Sequence, residues 1–494
     1  MNVKTSGQNL VDVEAEVLAI GVFDGDPGAP AALAGTPLGD TFARLVEAKD
    51  LSGSVGEVAP LLGLPAGGIK AKAVVALGLG KREKFDAGVA FAAGVAAGKK
   101  LAGKARGQVA VALPDAGDRP AVASALIEGL TVGTRGPGLR KAEPNRHEFA
   151  GLTLVDTEGA SPDVEAAATR GAIVGEAVNL ARDLANTPPA EKTPTALAAR
   201  AREAAEAAGL TVTVWDEARI RNERFGGLLG VAAGSEEPPA FVILEHKGGG
   251  DGPTLALVGK GVTFDSGGLS LKPSASMEDM KADMTGAAVV LATMVAAARL
   301  GLKANLVGYL ALTENMVNGK AMRLGDVLTM RNGKTVEVMN TDAEGRLILA
   351  DALSYAAEQE PDRILDLATL TGACMVALGT KVAGLFGNDP GFAGDVLAAS
   401  KRTGERAWQL PLDDDFLEQL KSPVADLKNV GTRWGGSITA AKFLEQFVAE
   451  RPWVHLDIAG PSWADSESGT RDAGGTGCFV RTLIALIQGE AGTA

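Results

Sequence analysis

The chain has 494 residues, of which 46% are hydrophobic and only 4% aromatic, a length that predicts two or three domains rather than one core. Its 61 acidic residues outnumber 48 basic ones, and the resulting net charge of −13 argues against general binding to nucleic acid or to a membrane surface. Two cysteines and three scattered histidines exclude a disulfide framework and a histidine-rich metal site. Any bound metal is therefore expected to be held mainly by oxygen. No secretory signal is visible, and we expect a soluble, cytoplasmic protein.

The N-terminal part of the chain predicts an α/β domain. Apolar or alternating runs predict strands at residues 11–22, 73–77, 108–113 and 152–155. Alanine-rich helical patterns lie between them, at residues 84–102 and 119–131. The stretch at residues 78–81 lacks the third glycine and the hydroxyl residue of a phosphate-binding loop, and it predicts an ordinary turn.

A long helical pattern at residues 162–186 ends at two prolines, which stop a helix. Further strand patterns follow at residues 211–215, 241–244, 254–258, 305–311, 364–372, 382–386 and 452–459. The predicted fold class is α/β, with two α/β domains, each a mixed, mostly parallel sheet flanked by helices, joined by a long helix. The predicted boundaries are 1–160 for the N-terminal domain, 161–190 for the connecting helix and 191–494 for the C-terminal domain.

The octapeptide at residues 340–347 carries the densest charge of the second domain. It places Asp342, Glu344 and Arg346 between a β-rich run and a helical pattern. Ligands of open α/β sheets bind at the carboxyl ends of strands, and in an extended chain the two carboxylates, two residues apart, point the same way. The alternative is a polar strand-to-helix turn in which acidic side chains favour the helix N-terminus.

Seven charged residues assigned to strand ends and loops of the second domain suggest a metal centre. They are Lys260, Asp265, Lys272, Asp283, Asp342, Glu344 and Arg346. If the four carboxylates converge, their combined charge requires cations, and two divalent ions would balance it; such metal pairs recur in aminopeptidases, phosphatases and nucleases. Lys260 either binds a metal as a neutral amine or forms a surface salt bridge. Its surroundings, Gly259-Lys260-Gly261, do not fit a phosphate-binding loop.

These motifs together resemble one family. The octapeptide, with Val258-Gly259-Lys260-Gly261 and the stretch 264–268 upstream, resembles the leucyl aminopeptidase family of dinuclear metallopeptidases, the cytosol aminopeptidase and bacterial aminopeptidase A type. The order and spacing of all seven charged residues fit. The resemblance is strong from about residue 170 to 494, and it covers the first part only by general α/β character. It implies a macro-like N-terminal domain and a catalytic peptidase domain at 191–494.

The resemblance implies that two divalent ions, Mn or Zn, are held by one amine and four carboxylates. Asp265 and Glu344 would bridge the ions, Asp342 would complete one site, and Lys260 with Asp283 would complete the other. Such a pair activates a bridging water by lowering its pKa.

The family's catalytic residues that are not ligands would be Lys272 and Arg346. Lys272 would polarise the scissile carbonyl, and Arg346 would hold a bicarbonate that serves as general base. The substrate side-chain pocket would include Met280, Thr369, Gly372 and Ala459. The substrates would be peptides, with leucine and other apolar N-terminal residues preferred within a broad range, and the assembly a homohexamer, a dimer of trimers.

Two other functions stay open at this stage. Some members of the family also bind DNA, so a non-catalytic scaffold is one alternative, although the net charge and the absence of a dense basic cluster count against nucleic acid as a partner. Another dinuclear hydrolase, such as a phosphatase, is the second, although the lack of candidate ligand histidines disfavours it.

Overall fold

Two α/β units make up the computed structural model, which describes residues 1–26, 31–61 and 68–491. The first unit is Met1–Asn179 with two short later segments, Arg402–Gly404 and Ser466–Ala473, and the second unit holds the rest. The predicted fold class of two α/β domains is confirmed. The division falls inside a long helix, whereas the boundaries at 160 and 190 stay predictions.

The first unit is built on a six-stranded sheet of order β1-β6-β5-β2-β4-β3. All its neighbouring strands are parallel except the pair β3 and β4. Its strands are β1 Asn2–Ser6, β2 Val17–Asp24, β3 Val58–Pro60, β4 Val74–Lys81, β5 Gln108–Ala112 and β6 Gly151–Val155. Its helices are α1 Pro37–Glu47, α2 Ala87–Leu101 and α3 Arg119–Gly133, and α4 Pro162–Asn186 contains the division between the units.

The start of the first predicted strand is wrong. The strand begins at Val17, and the residues before it include a 3₁₀ turn at Leu10–Asp12.

Helix α1 was not predicted, although its start carries a local signal. The Thr36 hydroxyl accepts a hydrogen bond from the Gly39 amide, and Pro37 occupies the first helical position, which suits the fixed φ of proline.

The second unit is built on an eight-stranded sheet of order β15-β14-β17-β13-β9-β10-β8-β7. Its strands are β7 Thr211–Trp215, β8 Ala240–Lys247, β9 Thr254–Asp265, β10 Asn305–Asn315, β11 Val327–Thr329, β12 Thr335–Glu337, β13 Arg363–Ala368, β14 Ala383–Gly387, β15 Ala407–Gln409, β16 Leu427–Lys428, β17 Trp453–Asp457, β18 Trp463–Ala464 and β19 Gly474–Gly475. Its helices are α5 Pro194–Ala207, α6 Glu217–Asn222, α7 Gly226–Ala232, α8 Ser274–Met277, α9 Thr285–Arg299, α10 Gly345–Glu358, α11 Gly372–Leu378, α12 Pro390–Thr403, α13 Gly436–Glu445 and α14 Val480–Ala491.

Strand β9 lies at the centre of this sheet, parallel to β10 on one side and to β13 on the other. It is longer than predicted and runs on to Asp265, so Lys260 lies inside the strand and not at its end. Helices α9 and α10 both pack on β9. Residues 285–297 of α9 are buried on every side, as expected for an apolar helix enclosed by other elements.

The octapeptide forms a turn and not an extended segment. Residues 341 and 342 lie in the turn, and α10 begins directly afterwards at Gly345. The expectation that an extended backbone aligns Asp342 with Glu344 is therefore wrong. The alternative prediction, a strand-to-helix turn, describes the backbone conformation of the octapeptide correctly.

Among the described residues, the helical segment Ser274–Arg299, which runs from the start of α8 to the end of α9, is long and apolar enough to cross a membrane by length and composition. Of its most apolar window, 89% is buried inside the fold. Core helices pass the same test, because burial against protein selects the same side chains as burial in lipid.

Candidate metal centre

Six of the seven predicted charged residues line one cavity of about 500 Å³ in the second unit. They come from three segments, namely β9 with the loop after it, the turn before α9, and the turn before α10. The six are Lys260, Asp265, Lys272, Asp283, Asp342 and Glu344. The four predicted pocket residues line the same cavity: Met280, Thr369, Gly372 and Ala459. Arg346, the seventh, is buried beside the cluster but does not line the cavity.

Two lysines separate the four carboxylates. The Lys260 ammonium lies 2.8 Å from Asp283 Oδ2 and 2.8 Å from Glu344 Oε1. The Lys272 ammonium lies 2.9 Å from Asp265 Oδ2 and 2.6 Å from Asp342 Oδ1. Each lysine therefore pairs carboxylates from different segments of the chain. Two lysines against four carboxylates still leave two negative charges.

Three carboxylate oxygens at this place have no hydrogen-bond partner among the described residues: Asp283 Oδ2, Asp342 Oδ1 and Glu344 Oε2. The first two lie 2.8 Å and 2.6 Å from a lysine ammonium and so have an ion-pair partner, whereas Glu344 Oε2 is left without one of either kind. Buried oxygens are normally satisfied, and hard divalent cations are their natural partners. Ligand atoms of Asp265, Asp342 and Glu344 lie within 4.8 Å of one another. The donor set therefore fits divalent cations.

The same crowding changes the pKa values of the carboxyls. Burial and the charge of Glu344 raise the pKa of Asp265 to about 6. Burial likewise raises the pKa of Asp283 and of Asp342, against the opposing effect of the lysines. Burial alone would lower the pKa of Lys260, but Asp283 and Glu344 outweigh it and raise that pKa above its ordinary value. Burial alone would raise the pKa of Glu344, but Lys260 outweighs it and lowers that pKa. Protein groups alone thus leave Asp265, Asp283 and Asp342 under-compensated.

Three polar side chains hold the acidic residues in place, and sequence reasoning did not assign these contacts. Asn315, at the end of β10, donates hydrogen bonds to Asp265 Oδ1 (2.8 Å) and to the Thr341 carbonyl (3.0 Å). The Thr369 hydroxyl donates to Asp283 Oδ1 (2.7 Å), and its carbonyl accepts from Lys260 (3.0 Å). Asn429, fully buried, donates to the carbonyls of Asn340 and Ala343. Of these three residues, only Asn315 had a local sequence signal of a functional role, namely its position after an apolar strand.

Arg346 is held by the same support. One guanidinium nitrogen, Nη1, donates to the Asn429 carbonyl at 2.7 Å. Its Nε has no hydrogen-bond partner among the described residues. Burial lowers the pKa of this guanidinium to about 10, so it remains cationic at neutral pH.

Glycine at position 345 makes room for the Lys260 amine. A Cβ placed on Gly345 would lie 2.7 Å from Lys260 Nζ and 2.6 Å from its Cε, closer than a Cβ approaches other heavy atoms. The backbone at the start of α10 therefore forms one wall of the lysine's slot. This explains why the octapeptide has a glycine directly after Glu344.

A further lysine anchors the segment that carries Asp283. Lys192 is fully buried, and its ammonium donates to three backbone carbonyls, those of Leu184 (2.7 Å), Ala185 (3.3 Å) and Lys281 (2.6 Å). Lys281 belongs to the 3₁₀ turn Met280–Ala282, directly before Asp283. Lys192 thus ties the end of α4 to the turn that presents a pocket residue and a carboxylate. Burial lowers the pKa of this amine to about 7.

Family comparisons agree with this site. A model described as "Cytosol aminopeptidase family, catalytic domain" matches residues 179–484, and one described as "Cytosol aminopeptidase family, N-terminal domain" matches residues 19–134. The second match extends the resemblance into the N-terminal part of the chain, where no sequence motif indicated the family.

Individual proteins are similar over nearly the whole chain. A protein of Rhodopirellula baltica named "Probable cytosol aminopeptidase" is 45% identical over 458 residues, covering 92% of this chain and 89% of that protein. One of the same name from Streptomyces coelicolor is 44% identical over 500 residues, covering 96% of each. The structure of the bottromycin maturation enzyme BotP in complex with Mn has a TM-score of 0.84 and 38% identity, covering 97% of this chain and 100% of that one. A mutant of tomato leucine aminopeptidase has a TM-score of 0.86 and 34% identity, covering 99% and 96%.

Fold, carboxylate cavity and similarities together define a hydrolase, a metal-dependent aminopeptidase. The chain belongs to the cytosol aminopeptidase family. The resemblance stated from the motifs is thereby confirmed.

Gly345→Ala tests the slot of Lys260. We expect kcat/KM for a leucine p-nitroanilide to fall by about 100-fold, since displacing a positioned group by about 1 Å has this effect. Alanine favours a helix over glycine by about 0.5–1 kcal/mol, which offsets only part of the cost of overpacking this buried site. Gly394→Ala in α12, where a Cβ meets nothing within 4 Å, is the matched control. Unchanged kinetics in Gly345→Ala would contradict the steric argument.

Lys192→Met tests the anchor of the 280–283 turn. It keeps the length of the side chain but leaves three buried carbonyls without their donor, and we expect a loss of about 2–4 kcal/mol in unfolding free energy. Affinity for Mn²⁺, measured by calorimetry, should also weaken because Asp283 is less well held. Lys401→Met, an exposed lysine in α12, should change neither. Wild-type stability together with wild-type metal affinity in Lys192→Met would refute the anchoring role.

Proposed function

We propose that this aminopeptidase releases N-terminal residues from peptides with a broad preference that includes leucine and other apolar residues, using a pair of divalent cations in the cavity described above. One observation carries the proposal: four carboxylates from three segments converge in one cavity with two lysines to offset them, which leaves two negative charges. Glu344 Oε2 has in addition no hydrogen-bond partner among the described residues, and a bound cation would remove the free-energy cost of such an unsatisfied buried group.

The ligands of the two cations would be Asp265 and Glu344 between the ions, Asp342 at one of them, and Lys260 with Asp283 at the other. Mn²⁺ or Zn²⁺ suits four carboxylates and one amine, and the similar BotP structure was solved with Mn. When bound, such a pair lowers the pKa of a water molecule and polarises the scissile carbonyl.

Lys272 would stabilise the negative charge that develops on the carbonyl oxygen of the scissile amide. Lys272 lines the cavity, and its side chain is 15% exposed. Burial alone would lower its pKa, but Asp265 and Asp342 raise it above the ordinary value, so the group stays cationic at neutral pH. A fixed cation at such a position favours the transition state over the ground state.

Arg346 would hold a bicarbonate ion that accepts a proton from the attacking water. The buried Nε without a partner and the intact positive charge support an anion at this guanidinium. Its Nη1 is already held by Asn429, which would keep the guanidinium plane in one orientation.

The substrate side chain would occupy the part of the cavity lined by Met280, Thr369, Gly372 and Ala459. A Cβ on Gly372 would meet no atom within 4 Å, so open space lies at the start of α11. Apolar pockets discriminate by about 1–3 kcal/mol per methylene, which predicts graded rather than strict selectivity.

We further propose a cytoplasmic homohexamer. Support comes from large apolar side chains that stay exposed in the single chain, among them Val376 (90%), Trp434 (68%) and Trp408 (65%). Exposed apolar surface of this kind is typical of sites that another protein surface covers.

Lys272→Ala separates catalysis from metal binding. We expect two bound metal ions per chain by elemental analysis, as in the wild type, and a kcat for leucine p-nitroanilide lowered by about 10²–10³-fold. Asp342→Ala should instead lose metal and activity together, and Lys320→Ala, an exposed lysine, should behave as wild type. A Lys272→Ala enzyme at wild-type rate would remove the electrophilic role. Hydrolysis of p-nitrophenyl phosphate in place of the anilide would favour the phosphatase alternative.

Light scattering on the full chain tests the assembly. We expect a mass near six times that of one chain, because burying these exposed tryptophan and valine side chains stabilises contacts between copies. Trp434→Ser should lower that mass if this residue lies in a contact. A monomer at micromolar concentration would contradict the hexamer and leave the metal centre unaffected.

A further inference from the structure

Asp457, the last residue of β17, contacts the two loops that follow β13 and β17. These strands are parallel neighbours, and Ala368, the last residue of β13, is the register partner of Asp457. Both loops therefore leave the sheet at its carboxyl edge, where ligands of open α/β sheets bind. Residues 369–372 of the first loop and Ala459 of the second line the metal cavity. Asp457 itself is buried, at 1% exposure, and does not line it.

The Asp457 carboxylate accepts three hydrogen bonds, all from these loops. Its Oδ1 accepts from the Leu370 amide (3.2 Å) and from the Ala459 amide (3.1 Å). Its Oδ2 accepts from the Thr371 hydroxyl (2.7 Å). These three hydrogen bonds form a latch between the loops. A buried carboxylate is costly unless donors fill its acceptor positions, so the carboxylate and the two loops stabilise each other.

The Thr371 hydroxyl extends the latch to α11. It donates to Asp457 and accepts from the Cys374 amide at 3.0 Å, which makes Thr371 the N-cap of the helix that begins at Gly372. Gly372 and Ala459 are two of the predicted pocket residues. One buried carboxylate therefore fixes the backbone next to both of them.

Thr369 connects the same loop to the metal ligands. It directly precedes Leu370, its hydroxyl donates to Asp283, and its carbonyl accepts from Lys260. Lys260 and Asp283 are the proposed ligands of one cation. A shift of this loop would therefore move both ligands, and groups that orient metal ligands from behind typically change metal affinity by about 10–100-fold.

We propose that Asp457 is a positioning residue of the metal centre: it latches the loops after β13 and β17 and, through Thr369, fixes the two ligands that this threonine contacts. The same latch fixes the backbone at the pocket residues Gly372 and Ala459. The inference rests on the metal ligands and the pocket proposed above. It assigns a residue that would touch neither the metal nor the substrate and would act through the loops alone.

Asp457→Ala removes all three hydrogen bonds of the latch. Calorimetric titration of the metal-free full chain with Mn²⁺ should show one of two binding events weakened by about tenfold, the lower end of the effect of groups behind the ligands. On the Mn²⁺-saturated variant, KM for leucine p-nitroanilide should rise by a similar factor. We expect kcat to change less, because Lys272 is held by contacts outside the latch.

Glu405→Ala is the matched control. The Glu405 carboxylate also accepts from two backbone amides and one threonine hydroxyl, those of Phe479 and Thr482, but it does not line the cavity. This variant should lower the melting temperature as Asp457→Ala does, while Mn²⁺ affinity and KM stay at wild-type values. An equal loss of Mn²⁺ affinity in both variants, or wild-type affinity and KM in Asp457→Ala, would overturn the positioning role.

Substitutions of Thr371 decide the question even if Asp457→Ala does not fold. Burial lowers the pKa of Arg346, and the Asp457 charge opposes this effect; Thr371→Val leaves that charge in place, so its effect reports position alone. We expect KM to rise by about 2–10-fold, the equivalent of one hydrogen bond. Thr371→Ser, which keeps the hydroxyl, should restore the wild-type KM.

Equal KM values in Thr371→Val and Thr371→Ser would overturn the latch and leave the metal centre untouched. Failure of the wild type to bind Mn²⁺ would instead overturn the metal centre, and this inference with it.

Discussion

Four carboxylates drawn into one largely buried cavity are the constraint on which the second unit depends. Like charges at such distances repel strongly in a medium of low dielectric constant. Lys260 and Lys272 offset half of that charge and bridge segments that are far apart in the chain. The two negative charges that remain, and the Glu344 Oε2 without a hydrogen-bond partner, explain why this cavity would have a high affinity for divalent cations, which offset the rest.

The sheet and its connections supply the rigidity that this arrangement needs. Strand β9, central and paired on both sides, carries Lys260 and Asp265, and Asn315 on the neighbouring strand holds the Asp265 carboxylate. The octapeptide turn is held from the other side by Asn429. Because these supports are hydrogen bonds to backbone or to ligand oxygens, the acidic groups are positioned before any cation binds.

The amino-acid sequence by itself determined the fold class and the limits of α4 and β7, and it singled out seven charged residues of which six line one cavity, because prolines, β-branched runs and closely spaced charged motifs are local signals. It misplaced Lys260 at a strand end, since that depends on how far β9 pairs with its neighbours, and it placed the octapeptide in an extended segment, since its turn is held by the distant Asn429. The supporting roles of Asn315, Asn429 and Lys192 were decided only by the tertiary structure. Their contacts with Thr341, Asn340 and Lys281 span 26, 89 and 89 positions of the chain, and a contact over such a separation has no periodicity or local motif that would reveal it.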